Sequence, residues 1–459
     1  MNNFSISDLP KGAYIHMIGI GGISMSGIAE MLLNFGYKVS GSDAKPSGLT
    51  DRLKQNGAEI FIGQSADNIK NPDAVCYTAA ISPDNPELVK AKTLGIPVVE
   101  RAVFLGALLE KYKYPIAVAG THGKTTTSSM LSLVLLAAHK DPTILIGGEL
   151  SQIGGNYHIG GKEYLPFEAC EYVESFLHFK PFVSIITNIE EDHLDYFKDL
   201  NHIITSFVKF ASLTSDNGCN IVCIDENTTQ SIVQNVKKKA VTYALNNKNA
   251  DYTAENITLE KNGCPTFDIF NKDRKVLSVS LNVAGDHNIC NALGVTAACE
   301  FLGIEPEYIK SGLEEFRGAK RRFDRLGKTE TGVDVVDDYA HHPTEIKTTL
   351  ETAKKMGYNN VWLAFQLHTY TRTAAFLEQF ASALKTADRV MITDIYPARE
   401  KYDGTMHACD LARLIPGVVY MNDMDAMKRY ILSNAKPGDL VITMGAGNIC
   451  DLGYSLTQK

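Results

Sequence analysis

Ile116-Ala117-Val118-Ala119-Gly120-Thr121-His122-Gly123-Lys124-Thr125-Thr126-Thr127 decides how the middle of this chain folds. The four apolar residues read as a buried strand, the glycines as a tight turn, and 127–138 as the helix behind it. Such a turn gathers backbone N–H groups and the positive end of a helix dipole in one place, which makes an anion site. Lys124 can reach the outer phosphates of a nucleoside triphosphate, and the Thr125 hydroxyl can ligate Mg2+. Gly120, Thr121, His122, Gly123, Lys124, Thr125 and Thr126 are therefore the candidate ATP-binding residues. Val118 stands where the usual GxxxxGK[ST] pattern has its first glycine, so this loop is two residues tighter at its start.

Upstream of the loop, strand patterns at 14–19, 38–42, 59–62, 74–78 and 97–99 alternate with helical patterns at 23–35 and 49–56. That alternation predicts a parallel sheet flanked by helices. A helical stretch at 102–112 leads to Tyr114-Pro115, where a new unit starts. Downstream, strand patterns at 143–146, 182–187, 219–224 and 276–281 precede a helical pattern at 288–302, and this sheet is expected to be mixed. After 317–322 the alternation restarts with strands at 333–336, 361–365, 389–393, 418–420 and 440–443. The expected architecture is α/β in three domains. A Rossmann-like parallel sheet covers 1–109, a P-loop-type ATPase domain with a mixed sheet covers 110–317, and a Rossmann-like α/β domain covers 318–459.

Across the 459 residues, 44% are hydrophobic and 21% charged, a composition that supports packed cores throughout. The net charge of −8 offers no basic field for a polyanion, which argues against nucleic acid as a partner. Nine cysteines are scattered singly, with no CxxC pair and no nearby histidine to complete a zinc set, and they read as reduced thiols. Met1-Asn2-Asn3-Phe4 has neither a basic nor an apolar leader pattern, and no run approaches about 18 apolar residues. A cytoplasmic protein without membrane insertion is expected.

A second glycine loop follows the first strand: His16-Met17-Ile18-Gly19-Ile20-Gly21-Gly22-Ile23-Ser24. Asp43, at the end of the second strand pattern, is the acidic residue that a dinucleotide site would place there; it can equally cap the turn after Ser42. A NAD-dependent oxidoreductase is the reading that Gly19, Gly21 and Asp43 alone would support, and it leaves 120–127 unexplained. Two nucleotide loops in one chain point instead to an enzyme that holds a nucleotide-tagged substrate while consuming ATP. A regulatory NTPase without ligase chemistry is a third reading.

Further motifs are 187–193 (Thr-Asn-Ile-Glu-Glu-Asp-His), 285–292 (Gly-Asp-His-Asn-Ile-Cys-Asn-Ala), Arg321-Arg322-Phe323, 337–343 (Asp-Asp-Tyr-Ala-His-His-Pro) and 444–449 (Met-Gly-Ala-Gly-Asn-Ile). In this order, with the two glycine loops, they resemble the Mur ligase family of peptidoglycan synthesis over essentially the whole chain. The resemblance implies a UDP-sugar domain, a central ATPase and a C-terminal domain that brings in an amino acid. It implies ATP and Mg2+, UDP-N-acetylmuramic acid as carboxylate substrate and L-alanine as amine, in a monomer or homodimer. A recycling ligase that joins a tripeptide to the same sugar nucleotide is the near alternative.

The same resemblance assigns residues. Gly19, Ile20, Gly21, Gly22, Ser24 and Asp43 are implied to hold the UDP-sugar, and Thr125, Glu168 and His193 the magnesium. Asn291 is implied to contact adenine, with His287 and Asn288 opening the same helix. Lys124, Glu168, His193, Arg322 and His341 are the implied catalytic set, and His341, Tyr339 and Arg372 face the amino acid. A hinge is expected near 315–320. The chain departs from the family pattern at Thr369, where an arginine is common, and at Leu367, where proline is. Cys170 replaces a frequent aspartate, Gln64 an expected histidine, and Thr78-Ala79-Ala80-Ile81 a serine-rich loop.

Overall fold

The computed structural model describes residues 4–78, 80–402 and 404–458; Ala79 of the 78–81 loop and Met1, Asn2 and Asn3 lie outside the described residues. Among the described residues, three sheets follow one another along the chain. In the first, β1 (Tyr14–Ile18), β2 (Lys38–Asp43), β3 (Glu59–Ile62), β4 (Ala74–Tyr77) and β5 (Val98–Glu100) lie in the order β3-β2-β1-β4-β5. Every pairing is parallel. The order reverses direction between β1 and β4, so the glycine loop after β1 opens at the switch point, where such sheets present ligands.

The second sheet has ten strands. Its members are β6 (Tyr114–Ala119), β7 (Ile144–Leu150), β8 (Gly155–His158), β9 (Tyr164–Glu168), β10 (Val183–Ile186), β11 (Cys219–Cys223), β12 (Ala240–Tyr243), β13 (Tyr252–Leu259), β14 (Pro265–Asn271) and β15 (Arg274–Ser280). The phosphate-loop strand β6 sits centrally, parallel to β10 and β9, while β13-β14-β15 form an antiparallel meander. The expectation of a mixed sheet holds. The helix Lys124–Ala137 behind the loop packs on the helix Pro306–Glu315, closely enough that a Cβ on Gly312 would lie 2.4 Å from Val134 Cα.

The third sheet orders β16 (Asp324–Lys328), β17 (Asp334–Asp338), β18 (Val361–His368), β19 (Arg389–Tyr396), β20 (Val419–Tyr420) and β21 (Leu440–Met444) as β16-β17-β21-β18-β19-β20. Only β16 runs antiparallel. It was not foreseen, because Asp-Arg-Leu-Gly-Lys carries one apolar residue and pairs along a sheet edge.

The first two units share a core. One buried apolar cluster runs from Met17 and Leu32 through Phe104 to Phe176 and Phe210, whose rings stack 4.6 Å apart. Burying each such phenyl contributes about 1.5–3 kcal/mol. The helix Ile23–Asn34 also grips the β7–β8 hairpin: Tyr157 Oη donates to Glu30 at 3.1 Å and Asn156 to the Ile23 carbonyl at 2.9 Å. The third sheet has its own clusters on its two faces. No helix among the described residues is long and apolar enough to cross a membrane.

Candidate active site

Strand β6 ends at Ala119, and Gly123, at φ +82°, caps the helix that starts at Lys124. A side chain at Gly123 would be strained in that left-handed conformation, and its Cβ would come 3.0 Å from Asn291 Oδ1. No side chain caps this helix, so its first-turn N–H groups are left to an anion. The loop is held from below by the segment after β10. Thr187 Oγ1 donates to the His122 carbonyl at 2.6 Å, Asn188 Oδ1 accepts from His122 N at 2.8 Å, and Thr121 Oγ1 accepts from Glu190 N at 2.9 Å. Part of the 187–193 motif is thus the mould of the phosphate loop.

Lys124 Nζ lies 3.0 Å from Glu171 Oε2 and 3.0 Å from the Thr121 carbonyl, and it also donates to the Gly120 carbonyl. Burial works against its charge, but the Glu171 carboxylate outweighs it and raises the ammonium above its ordinary value. Glu171 is itself buried, and its Oε1 stands 3.9 Å from His193 Nε2. Glu168 is placed differently: its Oε1 accepts from Gly147 N at 2.6 Å and from Ser128 Oγ at 3.4 Å. Sequence reasoning singled out Glu168 and passed over Glu171. Both lie in Phe-Glu-Ala-Cys-Glu, and only the turn after β9 shows which one meets Lys124 and His193.

Two cavities flank the 188–193 segment. The first, of about 280 Å3, is lined by His122, Thr125, Thr126, His287, Asn291 and Arg322 between the central and C-terminal domains. Asn291 donates to Asn288 Oδ1 at 3.2 Å, and Asn288 in turn donates to the Ala284 carbonyl at 2.7 Å, which fixes both amides at the helix start. Arg322 lies over the Tyr339 ring at 5.1 Å. Its neighbour Arg321, over the same ring at 4.9 Å, is pinned at the end of the C-terminal sheet, with Nε 2.9 Å from Asp337 Oδ2 and Nη2 2.6 Å from the Gly445 carbonyl. Burial pushes the Asp338 carboxyl up to about 6, even though Arg322 and the N–H groups of Phe323 and Ala340 favour its charge.

The second cavity, of about 480 Å3, is lined by Tyr172, Asp192, His193, His368, Arg372 and Arg399 among others. Arg372 is not a free guanidinium. Its Nη2 and Nε lie 2.8 and 3.2 Å from Asp192 Oδ1 in the central domain, and Nη1 is 3.3 Å from His368 Nδ1. Thr369, at φ +66°, caps the helix Tyr370–Ala375 by accepting from Arg372 N. Arg399, unmarked in the sequence because it is a lone arginine in a loop after β19, lines the same cavity. Glu400 accepts from the Thr371 N–H at 3.1 Å and so holds that loop in place. His341 Nδ1 is 3.0 Å from the Tyr339 carbonyl, and burial lowers the imidazole to about 4, so it is neutral.

In the N-terminal loop, Gly21 N donates to Asp43 Oδ2 at 2.9 Å, and a Cβ on Gly21 would meet that carboxylate. Asp43 therefore serves the turn itself. Gly19, Ile20 and Gly22 lie between β1 and the helix Ile23–Asn34, and Ser24 is in the first turn of that helix. Gln64 accepts from Asn85 Nδ2 at 2.6 Å.

Comparison with known proteins covers the same ground. The chain matches the Mur ligase family catalytic domain over residues 14–113, the Mur ligase middle domain over 118–299 and the Mur ligase glutamate ligase domain over 321–447. It is 50% identical to a UDP-N-acetylmuramate–L-alanine ligase of Acetivibrio thermocellus, covering 99% of this chain and 97% of that protein. The crystal structure of UDP-N-acetylmuramate-alanine ligase from Thermotoga maritima is 31% identical, with a TM-score of 0.80 over 97% of this chain and 98% of that one. A murein peptide ligase from Psychrobacter arcticus is 26% identical, with a TM-score of 0.73 over the same shares. With all three domains matched in order, the chain belongs to the Mur ligase family.

Proposed function

We propose that this protein joins L-alanine to the lactyl carboxylate of UDP-N-acetylmuramic acid, converting ATP to ADP and phosphate. The observation that carries the reading is the placement of two cavities on either side of one segment, 188–193, one lined by phosphate-loop residues and Asn291, the other by Arg372 and Arg399, as a carboxylate-activating site and an amine site would be. The name borne by the Acetivibrio thermocellus relative, at half identity over nearly the full length, supports the same substrates.

The triphosphate lies along the loop, its outer phosphates on the first-turn N–H groups and Lys124, its adenine beside Asn291 and His287. Thr125, Glu171 and His193 around the loop, with Glu168 beside them, offer hydroxyl, carboxylate and imidazole donors that suit Mg2+. Bound there, the ion neutralises charge on the phosphates. The lactyl carboxylate oxygen attacks the γ-phosphorus, ADP leaves, and an acyl phosphate results; Lys124 and Arg322 offset the charge that builds on the transferred group. The amine then attacks the acyl carbon, the C–O bond to phosphate breaks, and the nitrogen loses a proton. His341, a neutral imidazole whose ring lies 5.8 Å from that of His368 in the second cavity, takes up that proton in this reading. Arg372 and Arg399 orient the amino acid's carboxylate.

Lys124→Ala tests the phosphate-loop role. Amide formation, followed by mass spectrometry, is expected to fall by about two to three orders of magnitude; a rate near wild type refutes the assignment. Offering L-alanine and the tripeptide in parallel separates this reading from the recycling one.

A further inference from the structure

Glu345 has no part in the steps above, yet it stands where three parts of the machinery meet. Its Oε1 lies 3.2 Å from His122 Nδ1 in the phosphate loop and 3.9 Å from Arg322 Nη1. Its Oε2 accepts from the backbone N–H groups of His341 at 3.1 Å and His342 at 3.3 Å. Across the His122 ring, Glu190 Oε2 lies 3.6 Å from Nε2 and accepts from Thr344 Oγ1 at 2.6 Å. The His122 ring, from the central domain, is therefore flanked by a carboxylate of its own domain and one of the C-terminal domain. Side-chain exposure is 13% for His122 and 15% for Glu345, so the pair is shielded from solvent and salt. Between its two carboxylates His122 is held as the imidazolium, against the pull of burial, with its pKa raised to about 10.

His122, Glu190 and His342 also come near enough to one another to suggest a metal site. Both ring nitrogens of His342 are already engaged, Nε2 with the Glu191 carbonyl at 3.0 Å and Nδ1 with Thr344 N at 3.3 Å. The cluster is an ion-paired contact between domains.

We propose that His122 and Glu345 form a latch that docks the C-terminal domain onto the phosphate loop and, through Glu345, brings Arg322 and the His341 loop to the nucleotide cavity. Both act as positioning residues. The kinetic arm of this inference rests on the ligase reading; the structural arm does not. Glu345→Gln is the informative change, because its amide oxygen still accepts from the His341 and His342 N–H groups while the charge facing His122 is gone.

Full-length wild type, Glu345→Gln, His122→Asn and the double variant are compared by small-angle scattering and by ligation kinetics with ATP, UDP-N-acetylmuramate and L-alanine. Each single variant is expected to show a larger radius of gyration and a kcat at least about tenfold lower, with the KM for the UDP-sugar unchanged, since that substrate is held by the N-terminal domain. The double variant is expected to be no worse than the worse single one, the mark of two residues sharing one interaction. Losses that multiply in the double variant, or a radius of gyration unchanged in Glu345→Gln, overturn the latch. If the wild type makes no amide at all, the ligase reading fails, and scattering alone decides the latch.

Discussion

Glu171→Gln should move nucleotide binding and catalysis in opposite directions. Lys124 Nζ stands 3.0 Å from Glu171 Oε2 inside the phosphate loop. At an effective dielectric constant of about 20, charges at that separation attract by about 5–6 kcal/mol, and removing both from water offsets most of it. A triphosphate that draws Lys124 to its outer phosphates has to break this pair, so whatever survives desolvation opposes binding. If about 1.4 kcal/mol survives, the handicap is about tenfold in affinity. Replacing the carboxylate by an amide removes the competing charge at nearly constant volume. In titration calorimetry with EDTA present, the variant is expected to bind ATP about tenfold more tightly than wild type. With Mg2+ and both other substrates, loss of the same carboxylate is expected to lower kcat by about two orders of magnitude. Metal-free binding that is unchanged or weaker in the variant would refute the idea that Glu171 and phosphate compete for Lys124.

Arg372→Ala removes both a cavity-lining guanidinium and the tie to Asp192 across the domain interface. The KM for L-alanine is expected to rise at least about thirtyfold, from the 2 kcal/mol or more that a broken buried pair costs, while metal-free ATP affinity stays within about twofold; an unchanged KM removes Arg372 from the amino-acid site. Gly312→Ala would push a methyl group into Val134, and calorimetry is expected to show about 1–3 kcal/mol lost from the central-domain transition, with no loss if the two helices can part freely. Stability should also fall on acidification from pH 6 to 4.5. His287, His341 and His368 are lowered to about 4 by burial, so between 4 and 6.5 the unfolded chain binds protons there that the folded one does not. Asp338, raised to about 6 by burial, works the other way between about 4 and 6. Near pH 5 these four groups leave the unfolded chain about two protons richer, or roughly 2.4 kcal/mol per pH unit, and Asp338→Asn should steepen that slope by about half in pH-dependent melts. A slope unaltered in the variant would mean that Asp338 titrates normally.

The strand–turn–helix around Gly120 to Thr127 was legible because everything it needs is local. Four apolar residues make a buried strand, a glycine takes positive φ, and the helix follows without a gap. The same holds for the parallel first sheet, whose strand and helix patterns alternate at short range. The strands β13 and β14 and the edge strand β16 were not visible. Their pairing is set by partners in the folded sheet: β13 is exposed over its second half and β16 carries charge, while β14 does alternate, over too short a run to be placed without its neighbours.

The site divides along the same line. Spacing within the glycine loop marked Lys124 and Thr125, while the resemblance to the family marked His193, Asn291, Arg322 and Arg372, so their chemistry could be named before any contact was known. What those groups touch was decided only by the fold. The turn after β9 chose Glu171 over Glu168 as the partner of Lys124, and the junction at 321–323 sent Arg321 into the C-terminal domain and left Arg322 at the cavity. Domain packing engaged Arg372 with Asp192, 180 residues away, and set Glu345 against His122. The sequence by itself determined most of the chain's local elements, its domain order and the kinds of chemical group at its loops, because these follow from neighbours along the chain. Which charge faces which was decided by tertiary structure alone, because an ion pair depends on a few ångströms between residues that no sequence spacing relates.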